Sequence, residues 1–571
     1  MSNILNENIS RLWASMIVDE FAKNDVRDFY CAPGMRNAPI LAASFYNESI
    51  TPYSFIDERA LSFRALGKAK KEQNPVALTC TSGTAMANFL PAVIEAYRSN
   101  LPLIIITADR PIELVKIDAN QTINQIDIFK EFCCYTLALE APSEALTPKR
   151  LRTLIATAIG RAKAHQRPVH INLPFREPID ATPELISESY LESAKETFHN
   201  SLSKNKTYFF NNFKLNAELE DLLKSATSPL LVFGKFDKQA NGQDYIKALK
   251  EIDIPKYIDV TSGIKYHFNL EDNLNPSFDH SEVFEAYQRS KPDLIIHIGG
   301  RLVSKHYYRY QELNPQIKII HVTDFDEDHD PGFSNNIKVI CNPLSFLAEV
   351  KNLGLNSSPV INWKTFTNAK RDIIEENEIS FPYLSKNIVE KTDVEIDLLI
   401  GNSTAIRSFD LYISADSHYP ITVFSNRGVS GIEGFNATLC GLCDADDKAK
   451  VLVLGDISFM HDLNSLYMLK EMKDKNITII IVNNKGGGIF ELLPVAKERD
   501  FLHLLTTPHT NNFTDLLRAF DYIEYTKVQK KIEFNAIYSK ALKQNKINFI
   551  EVELNEEINK AVYDKLKTVK M

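Results

Sequence analysis

The chain has 571 residues, of which 44% are hydrophobic and 24% charged, and its formal net charge is −9. This length exceeds what one hydrophobic core usually organises and predicts about three globular domains. The negative charge argues against nucleic-acid binding and against a basic membrane-surface protein, so any bound anion requires a local cluster of basic side chains.

The N-terminal segment mixes Asn, Glu, Arg and Asp with apolar residues, which is unlike a secretory signal peptide. No stretch approaches the ~18 apolar residues of a membrane span.

Seven cysteines, mostly in apolar segments, are typical of reduced thiols, and we expect a cytoplasmic protein. Cys440 and Cys443 have the spacing of a metal or redox pair. Since they lack a second pair and a nearby histidine, we interpret them as packed residues on a helix.

Short runs of Val, Ile and Leu alternate with amphipathic segments along the chain. Such continuous apolar strands are typical of parallel sheets covered by helices on both faces. We therefore predict an α/β protein with three doubly wound parallel-sheet domains. The predicted strands are Val76–Thr79, Leu103–Thr107, Val169–Leu173, Leu230–Phe233, Leu294–Ile298, Lys318–Val322, Val451–Leu454 and Ile477–Val482.

Two polar stretches interrupt this alternation, and we predict that residues 187–207 and 351–364 are linkers. They divide the chain into an N-terminal domain of residues 1–186, a central domain of residues 208–350 and a C-terminal domain of residues 365–571. Ligands of such sheets bind beyond the carboxyl ends of the strands, so the residues that follow each apolar run are the candidates for function.

Polar residues follow two successive strands of the predicted C-terminal domain. Asp456 comes after the first strand, and Asn484 with the glycines of residues 486–488 comes after the second. A strand, helix and strand unit places both side chains on neighbouring turns at one edge of the sheet. Carboxylate, amide and backbone oxygens suit Mg²⁺, and the glycines allow a diphosphate to approach. The same pattern also fits a capped helix followed by an Asn-rich turn.

The pattern resembles the signature of thiamine-diphosphate enzymes, with Gly455-Asp456-Ile457 in place of the usual Gly-Asp-Gly and with Asn483-Asn484 at its end. The resemblance implies that thiamine diphosphate and Mg²⁺, or Mn²⁺, are cofactors, with Asp456, Asn484 and Gly486 as metal ligands. It also implies a catalytic glutamate, which Glu58 matches. Glu58 would hydrogen-bond N1′ of the aminopyrimidine and promote removal of the thiazolium C2 proton. Taken alone, a glutamate near a helix start is commonly a helix-dipole partner or a capping residue.

Further motifs are similar to the 2-succinyl-5-enolpyruvyl-6-hydroxy-3-cyclohexene-1-carboxylate synthases of menaquinone biosynthesis. This resemblance implies a transferase that decarboxylates 2-oxoglutarate and adds the product to isochorismate. The N-terminal domain would bind the pyrimidine and the C-terminal domain the diphosphate. The matching motifs are Cys31–Pro39, Thr81–Ala85, Thr107–Pro111, Ala119–Gln121, His170–Pro178, Gly401–Arg407, Ser425–Gly434 and Gly488–Phe490.

The same resemblance implies the site residues. Both substrates carry two carboxylates, which guanidinium groups bind through paired hydrogen bonds. The implied substrate contacts are Met35, Arg36, Arg110, Gln121, Lys305, Ser403, Arg407, Arg427, Ile489 and Phe490. The implied cofactor contacts are Glu58, Gln121, Ile432, Asp456, Ser458, Asn484, Gly486 and Ile489, with Ile432 wedged between the two cofactor rings. Outside these motifs, such arginines are more often surface charges and such apolar residues are core.

One position departs from the family pattern. His306 stands where some members have an arginine, so Arg309 or a protonated His306 would supply the cation at that edge. We also interpret His461 and Asp462 as structural, because they fall on the helix between the two cofactor turns. No Gly-x-Ser-x-Gly motif supports a hydrolase.

Two alternatives stay open from the sequence. Another thiamine-diphosphate decarboxylase or ligase, such as an acetolactate-type synthase, would not need the four arginines. A non-catalytic α/β binding protein would not need Glu58, Asp456 and Asn484 together. Because Glu58 and Asp456 belong to different domains, the resemblance implies a homodimer or homotetramer with active sites between subunits.

Overall fold

The computed structural model describes residues 8–199, 213–236, 242–326, 329–332, 337–355, 362–413 and 417–570. These residues form three parallel sheets, which confirms the predicted α/β class and its three parallel-sheet domains. All eight predicted strands are present, with ends that agree within two residues. Among the described residues, no helix combines the length and the apolar character that crossing a membrane requires.

The N-terminal sheet has six strands, which are β1 (Asp28–Cys31), β2 (Thr51–Ser54), β3 (Val76–Cys80), β4 (Leu103–Asp109), β5 (Tyr135–Ala138) and β6 (Val169–Pro174). Their order in the sheet is β2-β1-β3-β4-β6-β5. The accompanying helices are α1 (Ile9–Lys23), α2 (Ala38–Tyr46), α3 (Glu58–Glu72), α4 (Ala85–Asn88), α5 (Leu90–Arg98), α6 (Pro148–His165) and α7 (Glu188–His199).

Helix α7 shows that the first predicted linker was wrong over residues 188–199. Tyr190 and Ala194, four positions apart, are buried in the N-terminal core, and Trp13 Nε1 donates to the Tyr190 hydroxyl at 2.9 Å. This spacing gives the polar segment one buried face, so it folds as a helix of the N-terminal domain. The remainder of that linker, residues 200–207, lies outside the described residues.

The central sheet has five strands, which are β7 (Pro229–Phe233), β8 (Lys256–Ile258), β9 (Leu294–Ile298), β10 (Lys318–Thr323) and β11 (Ile337–Ile340). Their order is β11-β10-β9-β7-β8, a doubly wound arrangement. The helices of this domain are α8 (Ala217–Ser225), α9 (Gly242–Lys250), α10 (Ser281–Arg289), α11 (Lys305–Leu313) and α12 (Pro343–Leu353).

The C-terminal sheet has six strands, which are β12 (Ile396–Ile400), β13 (Ile421–Ser425), β14 (Ala449–Gly455), β15 (Ile477–Asn483), β16 (Ile523–Val528) and β17 (Ile547–Glu553). Their order, β13-β12-β14-β15-β17-β16, repeats that of the N-terminal sheet. The helices are α13 (Lys364–Glu376), α14 (Phe381–Glu390), α15 (Thr404–Leu411), α16 (Phe435–Ala445), α17 (Asp456–His461), α18 (Arg499–Thr506), α19 (Phe513–Arg518), α20 (Lys531–Ala541) and α21 (Glu556–Thr568).

The second predicted linker is only partly described. Helix α12 continues to Leu353, helix α13 begins at Lys364, and residues 356–361 lie outside the described part of the chain.

Short 3-10 turns complete the secondary structure. They are Met35–Asn37, Ile112–Leu114, Lys130–Phe132, Val260–Ser262, Lys265–His267, Leu270–Asp272, Leu463–Met472, Gly488–Leu492 and Pro494–Lys497.

Helices α3 and α16 join the N-terminal and C-terminal domains at backbone contact distance. A Cβ atom on Gly441 would lie 1.9 Å from the Arg64 carbonyl oxygen, so only glycine permits this approach. Arg64 also forms a bidentate pair with Asp444, at 2.8 and 3.0 Å. Cys440 and Cys443 are buried in this interface as free thiols, which confirms that they are core residues.

Candidate active site

The site residues predicted from the sequence all lie in the loops and helices that follow the carboxyl ends of parallel strands, as expected for doubly wound sheets. The N-terminal sheet contributes Met35, Arg36, Glu58, Arg110 and Gln121. The central sheet contributes Lys305, and the C-terminal sheet contributes Ser403, Arg407, Arg427, Ile432, Asp456, Ser458, Asn484, Gly486, Ile489 and Phe490.

Asp456 and Gly486 meet at the edge of the C-terminal sheet. In the register of β14 and β15, Gly455 lies opposite Val482, so the two following turns are neighbours. The backbone N–H of Gly486 donates to Asp456 Oδ2 at 3.0 Å, and the N–H of Ile457 donates to Oδ1 at 2.7 Å. Burial raises the pKa of Asp456, and these backbone donors oppose the shift. A buried carboxylate thus stands where the sequence predicted a metal ligand.

The Asn484 side chain is oriented by a residue that the sequence analysis missed. Its Nδ2 donates to Glu556 Oε2 at 2.9 Å, which leaves the amide oxygen as the atom available to a cation. A Cβ atom on Gly488 would lie 1.9 Å from this Nδ2, so glycine is required there. Burial raises the pKa of Glu556, with further contributions from Glu491 and Asp456. A bound cation would relieve this accumulation of negative charge.

His509 is a second neighbour that the sequence did not indicate, because it comes from the distant loop after α18. Its Nε2 lies 3.1 Å from Asp456 Oδ2, and the backbone N–H of Asn511 donates to its Nδ1 at 3.2 Å. The imidazole therefore accepts at Nδ1 and donates at Nε2.

Within the described ranges, no cluster of three or more His, Cys, Asp or Glu side chains could hold a metal. A cation here would rely on one carboxylate with amide and backbone oxygens, which suits Mg²⁺.

Ser458 and three apolar candidates lie at this edge. Ser458 is buried in the first turn of α17, and Ile489 and Phe490 are half-buried in the 3-10 turn after β15. Ile432 is 36% exposed at the end of the β13 loop. These positions leave the apolar side chains accessible for a ring system, which plain core packing would not.

Glu58 is the first residue of α3, but it does not cap the helix. The preceding Asp57 does so, because its Oδ1 accepts from the backbone N–H of Ala60 at 3.0 Å. The Glu58 carboxylate is half-buried, and its Oε2 accepts a 3.4 Å contact from Asn88 Nδ2. The capping interpretation of Glu58 is therefore wrong.

Arg36 is held inside the N-terminal domain. It is 5% exposed, its Nη1 donates to the Phe175 carbonyl oxygen at 2.8 Å, and its Nη2 pairs with Glu177 at 2.9 Å. The Nε atom is buried without a partner among the described residues. The adjacent Met35 is 62% exposed. Contact of Arg36 with a substrate stays a prediction.

Arg110 and Gln121 lie on the loop that follows β4. The Arg110 backbone N–H donates to Asp109 Oδ1 at 2.7 Å, and its Nε donates to the Asn120 carbonyl oxygen at 3.2 Å. Asp109 also accepts from Asn172 Nδ2 at 2.8 Å. Burial raises the pKa of Asp109 to about 6. A buried polar network at the ends of β4 and β6 thus supports this loop.

Arg407 and Arg427 form a cationic cluster with Arg301, which the sequence analysis did not select. Burial lowers the pKa of Arg427 to about 10, and the charges of Arg301 and Arg407 add to this effect. Such like charges in a half-buried setting favour a dianionic partner. Arg301 could have been found, because it follows two glycines directly after β9.

Lys305 and His306 begin helix α11 and are both exposed. His306 Nδ1 lies 2.8 Å from Asp279 Oδ1, which also accepts from the Ser304 hydroxyl at 2.5 Å. His306 is therefore paired with a carboxylate, so it does not stand as a free cation in place of the family arginine. Arg309 is exposed on the same helix.

Several loops of the site have left-handed backbone at residues other than glycine. The φ angles are +57° at Gln121, +66° at Ser403, +64° at Ser430 and +61° at Lys485. Such conformations cost free energy and persist where the surroundings impose them, commonly at functional sites.

Asp462 has a structural role, as predicted for the pair with His461. Its carboxylate accepts from the backbone N–H groups of Asn436 and Ala437, at 2.8 and 3.2 Å, and so caps helix α16. His461 accepts from Arg59 through its carbonyl oxygen at 2.9 Å. In the described part of the chain, no hydrogen bond joins Glu58 itself to Asp456 or Asn484. By domain, the predicted site residues fall into an N-terminal set that includes Glu58 and a C-terminal set that includes Asp456 and Asn484.

Comparisons with known proteins agree with this arrangement. Two family models match, the N-terminal TPP binding domain of thiamine pyrophosphate enzymes over residues 13–128 and the C-terminal TPP binding domain over residues 418–552. The 2-succinyl-5-enolpyruvyl-6-hydroxy-3-cyclohexene-1-carboxylate synthase of Syntrophus aciditrophicus is 34% identical and covers 99% of this chain and 100% of its own length. The synthase of the same name from Chlorobium phaeobacteroides is 33% identical, with 97% of each chain covered.

A solved structure shows the same fold. The thiamine diphosphate-dependent 4-hydroxybenzoylformate decarboxylase of Rhodococcus jostii RHA1 superposes with a TM-score of 0.72 over 95% of this chain and 99% of its own. Its sequence identity is 15%, so this likeness concerns the fold alone.

Proposed function

This chain belongs to the 2-succinyl-5-enolpyruvyl-6-hydroxy-3-cyclohexene-1-carboxylate synthase family of thiamine-diphosphate enzymes, and we propose that its two sets of site residues divide the reaction between them. The enzyme is a transferase of menaquinone biosynthesis that decarboxylates 2-oxoglutarate and joins the remaining unit to isochorismate. The relatives do not favour the acetolactate-type alternative. When bound, thiamine diphosphate supplies the stabilisation of the carbanion that the protein alone cannot provide.

The C-terminal set would hold the diphosphate end. Asp456, Asn484 and the backbone carbonyl of Gly486 would bind Mg²⁺, with Mn²⁺ as a substitute, and Ser458 would lie beside them. The observation that supports this assignment is the orientation of Asn484 by Glu556 together with the buried Asp456 carboxylate. The donor chemistry fits a hard divalent cation that takes its other ligands from phosphate and water.

The N-terminal set would hold the aminopyrimidine. Glu58 would keep a proton at the ring nitrogen, a role that its half-buried carboxylate can fill because Asp57 caps the helix. Gln121 would contact the cofactor from the loop after β4. Ile432 and Ile489 would provide apolar contacts to its rings.

The arginines would hold the two dicarboxylate substrates. Arg407 and Arg427 lie in the half-buried cationic cluster, and Arg110 lies on the supported loop after β4. Arg36, Lys305, Ser403, Met35 and Phe490 complete the proposed contacts. Holding both substrates in fixed geometry makes a bimolecular bond formation effectively unimolecular.

The two sets would combine across a subunit interface in a homodimer or homotetramer. This part of the proposal is supported by the lack of a direct hydrogen bond, within the described part of one chain, between Glu58 and either Asp456 or Asn484. We further propose a cytoplasmic location, which the seven free cysteines support.

Reconstitution tests the proposed function. Purified protein would be incubated with thiamine diphosphate, Mg²⁺ and 2-oxoglutarate, with and without isochorismate, and the product identified by mass spectrometry. We expect the product only in the complete mixture. Turnover of pyruvate instead would overturn the substrate assignment and leave the cofactor assignment in place.

Replacement of Glu58 tests its role. Glu58→Gln should abolish product formation and leave the melting temperature near that of the wild type. Glu72→Gln is the matched control, because Glu72 lies at the other end of α3 and pairs with Lys68 at 2.8 Å. Undiminished turnover in the Glu58 variant would remove Glu58 from the reaction.

A further inference from the structure

The loop of residues 427–432 carries two of the proposed contacts, Arg427 for substrate and Ile432 for cofactor. It follows β13 and is largely without regular structure of its own. Ser430, in its middle, has a left-handed backbone with φ of +64°. Some other part of the protein must therefore determine where this loop lies.

Glu95 binds the N–H groups of this loop from the N-terminal domain. Glu95 is 2% exposed, and its carboxylate accepts from the backbone N–H of Gly428 at 2.7 Å and of Val429 at 2.8 Å. A third donor is the hydroxyl of Ser99, at 3.0 Å. A Cβ atom on Gly428 would lie 2.8 Å from Glu95 Oε2, so glycine is needed for this approach.

Arg301, in the central domain, donates hydrogen bonds to the oxygen acceptors of the same loop. Its Nη2 donates to the carbonyl oxygens of Arg427 and Gly428, at 3.0 and 3.2 Å, and to the Ser430 hydroxyl at 2.9 Å. The acceptors of the segment are thus held by one domain and its donors by another. A third domain, the C-terminal one, contributes the segment itself.

The charges around this loop indicate that Glu95 does more than fill space. A buried carboxylate is unfavourable unless donors and positive charge compensate it, and α5 could have placed an apolar side chain here. The clustered charges of Arg301, Arg407 and Arg427 repel one another, and the negative charge of Glu95 favours the charged form of Arg427. Glu95 therefore stabilises the loop both by its hydrogen bonds and by its charge.

We propose that Glu95 is a positioning residue that acts, together with Arg301, as a clamp on residues 427–432 and so holds Arg427 and Ile432 at the site. The inference rests on the proposed roles of those two residues. Glutamine cannot replace Glu95, because its amide group would direct donors toward at least one of the two backbone N–H groups.

The first measurement is independent of activity. Hydrogen–deuterium exchange of peptides that span residues 426–432 would be compared in the full-length wild type and in Glu95→Gln. We expect faster exchange in the variant, confined to this segment and to residues beside Ser99. Unchanged protection at Gly428 and Val429 would overturn the clamp, whether or not the enzyme makes product.

The matched control is Asp293→Asn. Asp293 accepts a similar set of donors, the N–H and hydroxyl of Thr227 and the N–H of Ser228, but at the amino edge of the central sheet. It lies at the opposite end of the strands from the proposed site. This variant should speed exchange only around residues 227–228 and leave turnover unchanged.

Kinetics of the holoenzyme then test positioning against a purely structural role. Glu95→Gln should lower kcat/KM about 10- to 100-fold, the range that follows a displacement of roughly 1 Å at a site. The same change should cost less in an Arg427→Gln background than in the wild type, because one of the two residues through which Glu95 acts is already removed. The proposal would be overturned if the kcat/KM losses of the two single variants multiplied fully in the double variant, or if Glu95→Gln kept full activity. An inactive wild type would instead refute the proposed function, and the exchange experiment would still decide the clamp.

Discussion

The backbone N–H of Gly486 donates to the buried carboxylate of Asp456 across the carboxyl ends of two adjacent strands. This bond makes the turn after β15 dependent on the turn after β14. The φ angle of Gly486 is +149°, and a Cβ atom there would lie 2.6 Å from the Thr506 carbonyl oxygen. Backbone conformation therefore determines where the proposed metal ligands lie.

We expect Gly486→Ala to weaken binding of thiamine diphosphate with Mg²⁺ by at least about tenfold, because an alanine is strained at this φ angle and collides with Thr506. Titration calorimetry would measure the affinity. Gly354→Ala is the control, since Gly354 also has a positive φ of +63° but has open space around it. Equal losses in both variants would mean that backbone strain alone, and not the site, is responsible.

Glu556→Gln should lower the affinity for Mg²⁺ about 10-fold or more, the usual effect of losing the partner that orients a metal ligand. The glutamine amide can present its own donor to Asn484 and allow that side chain to turn. Calorimetric titration of Mg²⁺ with thiamine diphosphate present would detect the change. Glu557→Gln removes the same charge from the same turn of α21 and should have little effect. An unaltered affinity in Glu556→Gln would contradict the orienting role.

The sequence identified strands well where they are buried on both faces. All eight predicted strands are internal to their sheets, whereas the six edge strands were missed. In β2 (Thr51–Ser54) the reason is that exposed faces carry polar residues. Three internal strands, β1, β17 and β12, were also missed, and β12 shows one reason. Its Asp397 interrupts the apolar run, and only the fold reveals that Lys71 and Lys450 neutralise it.

Site residues next to strand ends were similarly predictable, because the carboxyl edge of a parallel sheet is a fixed location. Glu556, His509 and Glu95 were not, since each reaches its partner from an element remote in sequence. Their roles depend on hydrogen bonds that no local pattern encodes. Arg301 is intermediate, because its strand-end position was visible and its bonds to the 427–432 loop were not.

Gly441→Ala should destabilise the protein by roughly 1–3 kcal/mol, because the methyl group would force α16 away from the Arg64 carbonyl of α3. Since α3 begins at Glu58, we also expect a lower kcat. Calorimetric melting and steady-state kinetics would measure both effects. Gly160→Ala, in helix α6 with no atom within 4 Å of the new methyl, should instead leave or raise the melting temperature. A wild-type melting temperature for Gly441→Ala would contradict the close helix contact.

Asp109 should give the enzyme an acidic limb in kcat/KM with an apparent pKa of about 6. Its ionised carboxylate accepts from both the Arg110 backbone and Asn172, and protonation below that pH removes one acceptor, so the loop carrying Arg110 loosens. Asp109→Asn should be slow at every pH and lack this limb.

The pH dependence of stability has the opposite sign, so acidification that lowers kcat/KM stabilises the fold. Because burial raises the folded pKa above the ordinary value of 3.8, the ionised form destabilises the fold above about pH 6 and the cost disappears below about pH 4. The wild type should therefore gain melting temperature relative to Asp109→Asn between pH 7 and pH 5, and an acidic limb that persists unchanged in the variant would assign the titration to another group.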